Sequence, residues 1–257
     1  MYLIDTHSHI YLDEFDSDRD EVIKRALEKG VIKMLMPNID TTTLPIMLSL
    51  SKRYKGICFP MTGLHPTNVS ENYKGHLNQL EDYLNNPDII AIGETGIDLY
   101  RDKSFTEEQI IAFRIQASWA VETGLPLIIH SRNAFREIFE VLSEFRKSRL
   151  KGIFHAFSGD FEIANRVIEA GFKLGISGVV TFKNSVLPNI IKEAGLENIV
   201  LETDSPYLAP FPFRGKRNES SYICIINSAV AKILGMKEEQ TAEITTQNAK
   251  ELFNLNG

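Results

Sequence analysis

The sequence predicts an α/β fold, a single (β/α)8 (TIM) barrel over residues 1–257, on three observations. Eight short apolar runs alternate with amphipathic stretches from end to end. Several runs are apolar throughout instead of alternating, which suits parallel strands covered on both faces. The runs start roughly 20 to 40 residues apart, room for a crossover helix each time, and eight such units in about 250 residues is the count for a closed barrel. An open doubly wound sheet shares this rhythm, but the Gly-rich dinucleotide turn it would carry after its first strand is missing, and the first strand ends in histidines.

Strands are predicted at 3–5, 32–37, 56–63, 88–94, 126–130, 152–156, 172–178 and 198–204. The first helix, Arg19 to Gly30, places Val22, Ala26 and Leu27 on one face and stops at its glycine. Thr106 followed by acids opens a long helix that closes on Gly124, and Glu169-Ala170-Gly171 and Glu193-Ala194-Gly195 end two more, each just before a strand. Helices over Tyr222–Gly235 and Glu238–Phe253 complete the chain, the last packed outside. No Pro/Gly/Ser-rich linker divides it, so one domain is expected.

Composition is that of an ordinary globular protein, 43% hydrophobic and 24% charged. No apolar run is long enough to span a bilayer, and the start lacks the basic and apolar regions of a secretion signal, so a cytoplasmic protein without membrane contact is expected. Cys58 and Cys224 sit in apolar stretches and read as thiols, not a disulfide. A net charge of −6 argues against nucleic-acid binding by bulk electrostatics, though a phosphate-handling site can be locally positive. Nothing marks an obligate protein partner.

In a barrel the chemistry sits at the C-terminal ends of the strands. Five of the six histidines fall there: His7, His9, His65, His130 and His155. His76, in YKGHLNQL, reads as a solvated helix residue. Residues i and i+2 of a strand share a face, so His7 and His9 can close on one cation, with Glu94 and Asp204 supplying carboxylate oxygens. Glu94 can also bridge to a second ion held by His130 and His155, and two ions about 3.5–4 Å apart suit phosphoryl displacement. Each residue has a plainer role available: a structural histidine, a helix-capping Glu94, a turn Asp204 before Ser-Pro. Six potential ligands at five strand ends fit independent structural roles poorly, and the metal reading is preferred.

Around them, His65 in Gly63-Leu64-His65-Pro66 and Arg132 can contact an anionic substrate or support the ligands. Glu202, two residues before Asp204, can orient a ligand or water. The run Pro212–Glu219 holds three cations in four positions, and Arg217 there is either solvated or grips phosphates.

Asp5-Thr6-His7-Ser8-His9, Gly63-Leu64-His65-Pro66, Gly93-Glu94-Thr95-Gly96-Ile97-Asp98, His130-Ser131-Arg132, Phe154–Gly159 and Leu201–Leu208 together resemble the TatD family of metal-dependent deoxyribonucleases, in order and over essentially the whole chain. The resemblance implies a TIM-barrel hydrolase of the amidohydrolase superfamily. It implies one ion on His7, His9, Glu94 and Asp204, another on Glu94, His130 and His155, and catalysis through Glu94 and Asp204. The implied substrate is DNA, including 3′–5′ exonuclease action on single strands. Imidazoles suit Zn2+ or Mn2+, whereas Mg2+ is what the resemblance suggests for activity. Two departures stand out: Tyr11 and Asn133 occupy positions where the family often has Asp or Asn, and Asp, respectively. The same ions could instead serve another bond, such as a D-aminoacyl-tRNA ester or a cyclic amide. A silent scaffold would predict a degraded ligand set, and this chain keeps all six.

Overall fold

The computed structural model describes residues 1–100 and 102–255. Strands and helices alternate as expected: β1 (Leu3–Asp5), α1 (Arg19–Glu28), β2 (Val31–Met36), α2 (Leu44–Arg53), β3 (Cys58–Pro60), α3 (Tyr73–Glu81), β4 (Ile92–Asp98), α4 (Thr106–Thr123), β5 (Leu127–Arg132), α5 (Phe135–Glu144), β6 (Gly152–Phe154), α6 (Phe161–Glu169), β7 (Phe172–Ile176), α7 (Leu187–Ala194), β8 (Ile199–Leu201), α8 (Ile223–Leu234) and α9 (Glu238–Phe253). Gly124 and Gly235 terminate α4 and α8 in the left-handed conformation, which costs glycine nothing.

All strand pairs are parallel, in chain order, but the ladder is not continuous around a barrel. A three-stranded sheet β1–β2–β3 and a five-stranded sheet β4 to β8 meet at two seams. One seam is crossed by the bridge Ser8–Ser205 with Thr6 N–H donating to Leu201 O (3.1 Å), the other by Thr62–Ile92 with Gly93 N–H donating to Thr62 O (2.7 Å). The barrel-like order of the expected fold therefore stands, and its seams are joined by short runs of backbone bonds beyond the strand ends, among them Asp204 N–H to His7 O (2.8 Å) and Ile90 N–H to Pro60 O (3.1 Å), because β1 and β3 are only three residues long.

Two apolar clusters separate inside from outside. The larger lies between strands and helices. The smaller gathers Ile4, Leu35, Met61, Ala91, Ile128, Ile153 and Val200, from nearly every strand, and packs them on Leu252, Phe253 and Leu255 at the end of α9. Strand periodicity of two then aims the chemistry: His130 follows Ile128, His155 follows Ile153, and Glu202 follows Val200, each by two residues and so on the same face.

Three expectations are corrected. The fourth strand begins at Ile92, not 88, and runs through Gly93-Glu94-Thr95-Gly96-Ile97-Asp98. Gly96 lies beyond the predicted end at 94, yet it lets β4 lie against β5 where any Cβ would meet His130 O at 2.0 Å. In α1, Leu27 is 41% exposed and Ile23 is buried with Val22 and Ala26, because Leu27 falls too far around the helix. His76 is half-buried, with Nδ1 3.0 Å from Thr41 Oγ1. Cys58 and Cys224 are free thiols, Cys58 fully buried. No helix among the described residues is long and apolar enough to cross a membrane.

Candidate metal centre

At the C-terminal ends of the strands a cavity of about 700 Å3 opens, and Glu94 is at its floor. Five histidines converge on that one carboxylate. His7 Nε2 and His9 Nε2 lie 3.1 and 3.5 Å from Oε2, while His130 Nδ1, His65 Nε2 and His155 Nε2 lie 3.0, 3.3 and 3.6 Å from Oε1. Asp204 Oδ1 is 3.6 Å from His9, 3.7 Å from His7 and 3.8 Å from His155.

Neighbouring backbone fixes this arrangement. Asn38, just past β2, accepts from Glu94 N–H at its carbonyl (2.9 Å) and donates through its own N–H to Gly93 O (2.9 Å). Its side chain donates to Gly63 O (2.9 Å), so one buried amide sets both Glu94 and the loop bearing His65. Gln116 of α4 clamps that loop further, accepting from Leu64 N–H (2.7 Å) and donating to Leu64 O (3.2 Å). Asp5 accepts from Thr203 N–H (2.9 Å) and Thr203 Oγ1–H (2.6 Å), tying the His7–His9 segment to the Asp204 segment across a seam.

The electrostatics follow from burial and crowding. Burial pushes Glu94 up, but His65, His7, His155 and His130 outweigh it and hold the carboxyl well below its ordinary range. Asp204 is likewise lowered against the effect of burial, by His155, His9 and His7. Burial drives His7 and His65 down, so both favour the neutral form that can ligate. For His155 burial also favours the neutral form, yet Glu202, Glu94 and Asp204 together raise it to about 10.

Divalent cations fit this donor set. Among the described residues three groups bring their ligand atoms within 4.8 Å of one another: His7–His9–Glu94, His7–His155–Asp204 and His65–Glu94–His130. The ring nitrogens His7 Nε2 and His9 Nε2 face each other at 3.2 Å and both lie against Glu94 Oε2, an arrangement a shared cation suits. Because His155 holds a proton at neutral pH, a cation reaching it must displace that proton. His130, raised by Asp98 and Glu94 against the effect of burial, adds to this, so metal uptake by chelator-stripped protein is expected to release at least one proton at pH 7, with affinity rising as pH rises. Calorimetric titration in buffers of different ionisation enthalpy measures that count.

All six proposed ligands are brought together, and the structure adds His65, expected to touch substrate, as a fifth imidazole on Glu94. Glu202 stands 3.0 Å from His155 Nδ1, an ion pair approached obliquely to the N–H direction, and accepts from Ala156 N–H (2.5 Å). Arg132 lines the cavity, its guanidinium 3.9 Å over the Tyr100 ring. Arg217 lies outside the lining: it forms a two-pronged ion pair with Asp18 (2.8 and 2.6 Å) and stacks over Phe15. Asp98, whose Oδ2 lies 3.0 Å from His130 Nε2, Asn38 and Gln116 have roles the sequence reading did not give them. Asp98 was legible as the last carboxylate of Gly93-Glu94-Thr95-Gly96-Ile97-Asp98, while Asn38 and Gln116 act through backbone contacts that leave no local signal.

The chain is similar to known proteins over nearly its whole length. A family model described as "TatD related DNase" matches residues 4–254. The chain is 36% identical over 255 residues to the uncharacterized metal-dependent hydrolase YabD of Bacillus subtilis, covering 99% of this chain and 100% of that one. It is 31% identical over 248 residues to a protein of Erwinia billingiae named 3′-5′ ssDNA/RNA exonuclease TatD, covering 94% and 95%. The solved structure of YjjV, a TatD homologue from Escherichia coli, superposes with a TM-score of 0.92 at 27% identity, covering 98% of each chain.

Proposed function

The chain belongs to the TatD family of related DNases, a family of metal-dependent hydrolases, and on that premise we propose that it hydrolyses phosphodiester bonds of DNA, acting as a 3′–5′ exonuclease on single strands. The observation that carries the reading is the convergence of five imidazoles and Asp204 around Glu94 at the floor of an open cavity. His7, His9, Glu94 and Asp204 would hold one divalent ion, and Glu94, His130 and His155 another, with His65 close enough to join the second. Such ions lower the pKa of water from 15.7 toward about 7 and neutralise phosphoryl oxygens.

The chain's own groups do the rest. Asp204, whose Oδ1 faces the imidazoles, accepts a proton from the attacking water at Oδ2. Glu94, kept ionised by its neighbours, fixes the positions of both halves of the centre. Arg132 and Tyr207, both lining the cavity, border the strand entering it, Arg132 pairing with a backbone phosphate. With a net charge of −6 the protein as a whole does not attract a polyanion, so this local cation carries more of the binding. Arg132→Ala is expected to weaken single-stranded DNA binding about tenfold, and Arg217→Ala to leave it within about twofold, as measured by fluorescence anisotropy.

End-labelled single-stranded DNA and RNA, incubated with protein reconstituted with Mg2+, Mn2+ or Zn2+, test the activity and its polarity. Loss in Glu94→Ala and Asp204→Ala assigns it to this centre, whereas cleavage at wild-type rate by both would sink the assignment. A second reading is favoured by the 36% identical relative, whose name specifies only a metal-dependent hydrolase. The same centre would then cleave another ester or amide, and a D-aminoacyl-tRNA arm in the assay separates the two.

A further inference from the structure

Of the basic run after β8, Arg217 is paired with Asp18, whereas Arg214 and Lys216 are exposed and form no ion pair among the described residues. They belong to a rim of uncommon charge. Residues 205–218 after β8 and 177–188 after β7 hold Lys183, Arg214, Lys216 and Arg217 and no Asp or Glu, in a chain whose net charge is −6. The two segments are locked together. Phe211 N–H donates to Thr181 Oγ1 (2.8 Å), and Gly178 lies so close to the other segment that a Cβ there would come within 2.1 Å of Leu208 O. Across the same junction the Arg214 guanidinium sits 4.7 Å over the Phe182 ring, a contact that holds the cation in place without neutralising it. Phe213 turns away and stacks on Tyr222 with centroids 4.3 Å apart. Phe211 does not: it is 66% exposed, and its ring stacks on no other among the described residues.

Taking the nuclease reading of the preceding section as its basis, we infer that this rim is a landing surface for single-stranded nucleic acid, on which Phe211 stacks a base while Lys183, Arg214 and Lys216 take phosphates. An open ring on a fixed backbone, together with unpaired cations, is the combination that holds unpaired strands without regard to sequence. The rim is continuous with the cavity of the metal centre. Tyr207 and Leu208 line that cavity, and Phe211 follows Leu208 by three residues, at most about 11 Å of chain. A strand whose 3′ end lies in the cavity therefore passes Tyr207 and runs 5′-ward over Phe211. A duplex keeps its bases stacked inside and has none to lay on the ring. An acidic peptide matches the cations but leaves the phenyl face unused.

Fluorescence anisotropy of labelled oligothymidylate, its 3′-terminal linkages made phosphorothioate so that metal-loaded protein does not cut it, tests this. Phe211→Ala is expected to weaken binding of a strand of about twelve nucleotides about tenfold, and of one of about three, too short to reach the rim, by less than about twofold. A strand of the longer length with abasic sites in place of its bases should bind the wild type about tenfold more weakly and ignore Phe211→Ala. Arg214→Gln combined with Lys216→Gln should flatten the fall of log affinity with log salt by about 1.4, two phosphate contacts' worth for a single strand. All three side chains are exposed, so the fold is not at stake, and unfolding midpoints confirm it. Phe211→Ala matching the wild type, equal losses at both lengths, an abasic strand bound as tightly as the normal one, or an acidic peptide competing as well as the strand would each overturn the inference and leave the metal centre in place. A wild type that binds no strand yet hydrolyses a small phosphodiester removes the landing surface alone. One that does neither removes the hydrolytic reading as well.

Discussion

Glu94→Gln is expected to lower hydrolysis by about a thousandfold or more and to empty both halves of the centre. The substitution preserves volume and removes one charge, at a residue only 2% exposed. Five imidazole nitrogens lie within 3.6 Å of the carboxylate, so an amide there would remove the one anion positioned to share a cation with all of them. Among the described residues, Glu94 is the side chain shared by the ligand groups His7–His9–Glu94 and His65–Glu94–His130. Loss of the several kcal/mol that bound divalent ions contribute to the transition state amounts to about three orders of magnitude in rate, at 1.36 kcal/mol per decade. Rate on labelled single-stranded DNA and metal content by elemental analysis should fall together, with an unfolding midpoint showing that the variant is intact. A variant that kept two ions and a rate within tenfold of wild type would remove Glu94 from its central place.

Phe154→Ala is expected to destabilise the fold by about 3–5 kcal/mol, the usual cost of truncating a buried phenylalanine. Phe154 is 1% exposed, and its ring lies 5.8 Å from Phe139, 5.5 Å from Phe172 and 6.3 Å from Phe135. The next residue is His155, whose ring stacks on His7 with centroids 3.5 Å apart. This aromatic cluster therefore anchors, on the helix side of β6, the strand end that delivers His155 to the opposite side. For a chain of this size the midpoint should drop by roughly 6 to 20 °C, measured by calorimetry. Phe154→Leu, which keeps most of the volume, should lose less than half as much.

Much of this architecture was legible before any coordinate was known, for reasons that differ by residue. His130, His155 and Glu202 follow a buried aliphatic residue by two positions, so strand geometry alone turns them toward the centre. Gly124 and Gly235 end helices because a left-handed residue is cheapest as glycine. Misreadings arose where a tertiary contact overrode a local preference. The fourth strand continues past its predicted end through Gly96, a poor strand former in isolation, because the His130 carbonyl of its neighbour leaves no room for a Cβ atom. Arg217 read as a phosphate ligand by charge alone; its partner Asp18 is separated from it by most of the chain, and charge patterning carries no such distance. Tyr11 was visible as a departure from the family pattern, but its 2.9 Å contact with His9 Nδ1 was not.

The two seams give the centre a mechanical meaning as well. His7 and His9 follow β1 and His65 follows β3, all on the three-stranded side, whereas Glu94, His130, His155 and Asp204 belong to the five-stranded side. Under the proposed ligand set, the ion on His7, His9, Glu94 and Asp204 is a rivet driven through both plates of the shell, and the second ion becomes one where His65 joins it, adding to the few backbone bonds across each rim. An ion present at a thousand times its dissociation constant adds about 4 kcal/mol to the folded state. Arming the site and closing the shell are then one event, so a molecule that has lost its ions is both inactive and the first to be unfolded and cleared.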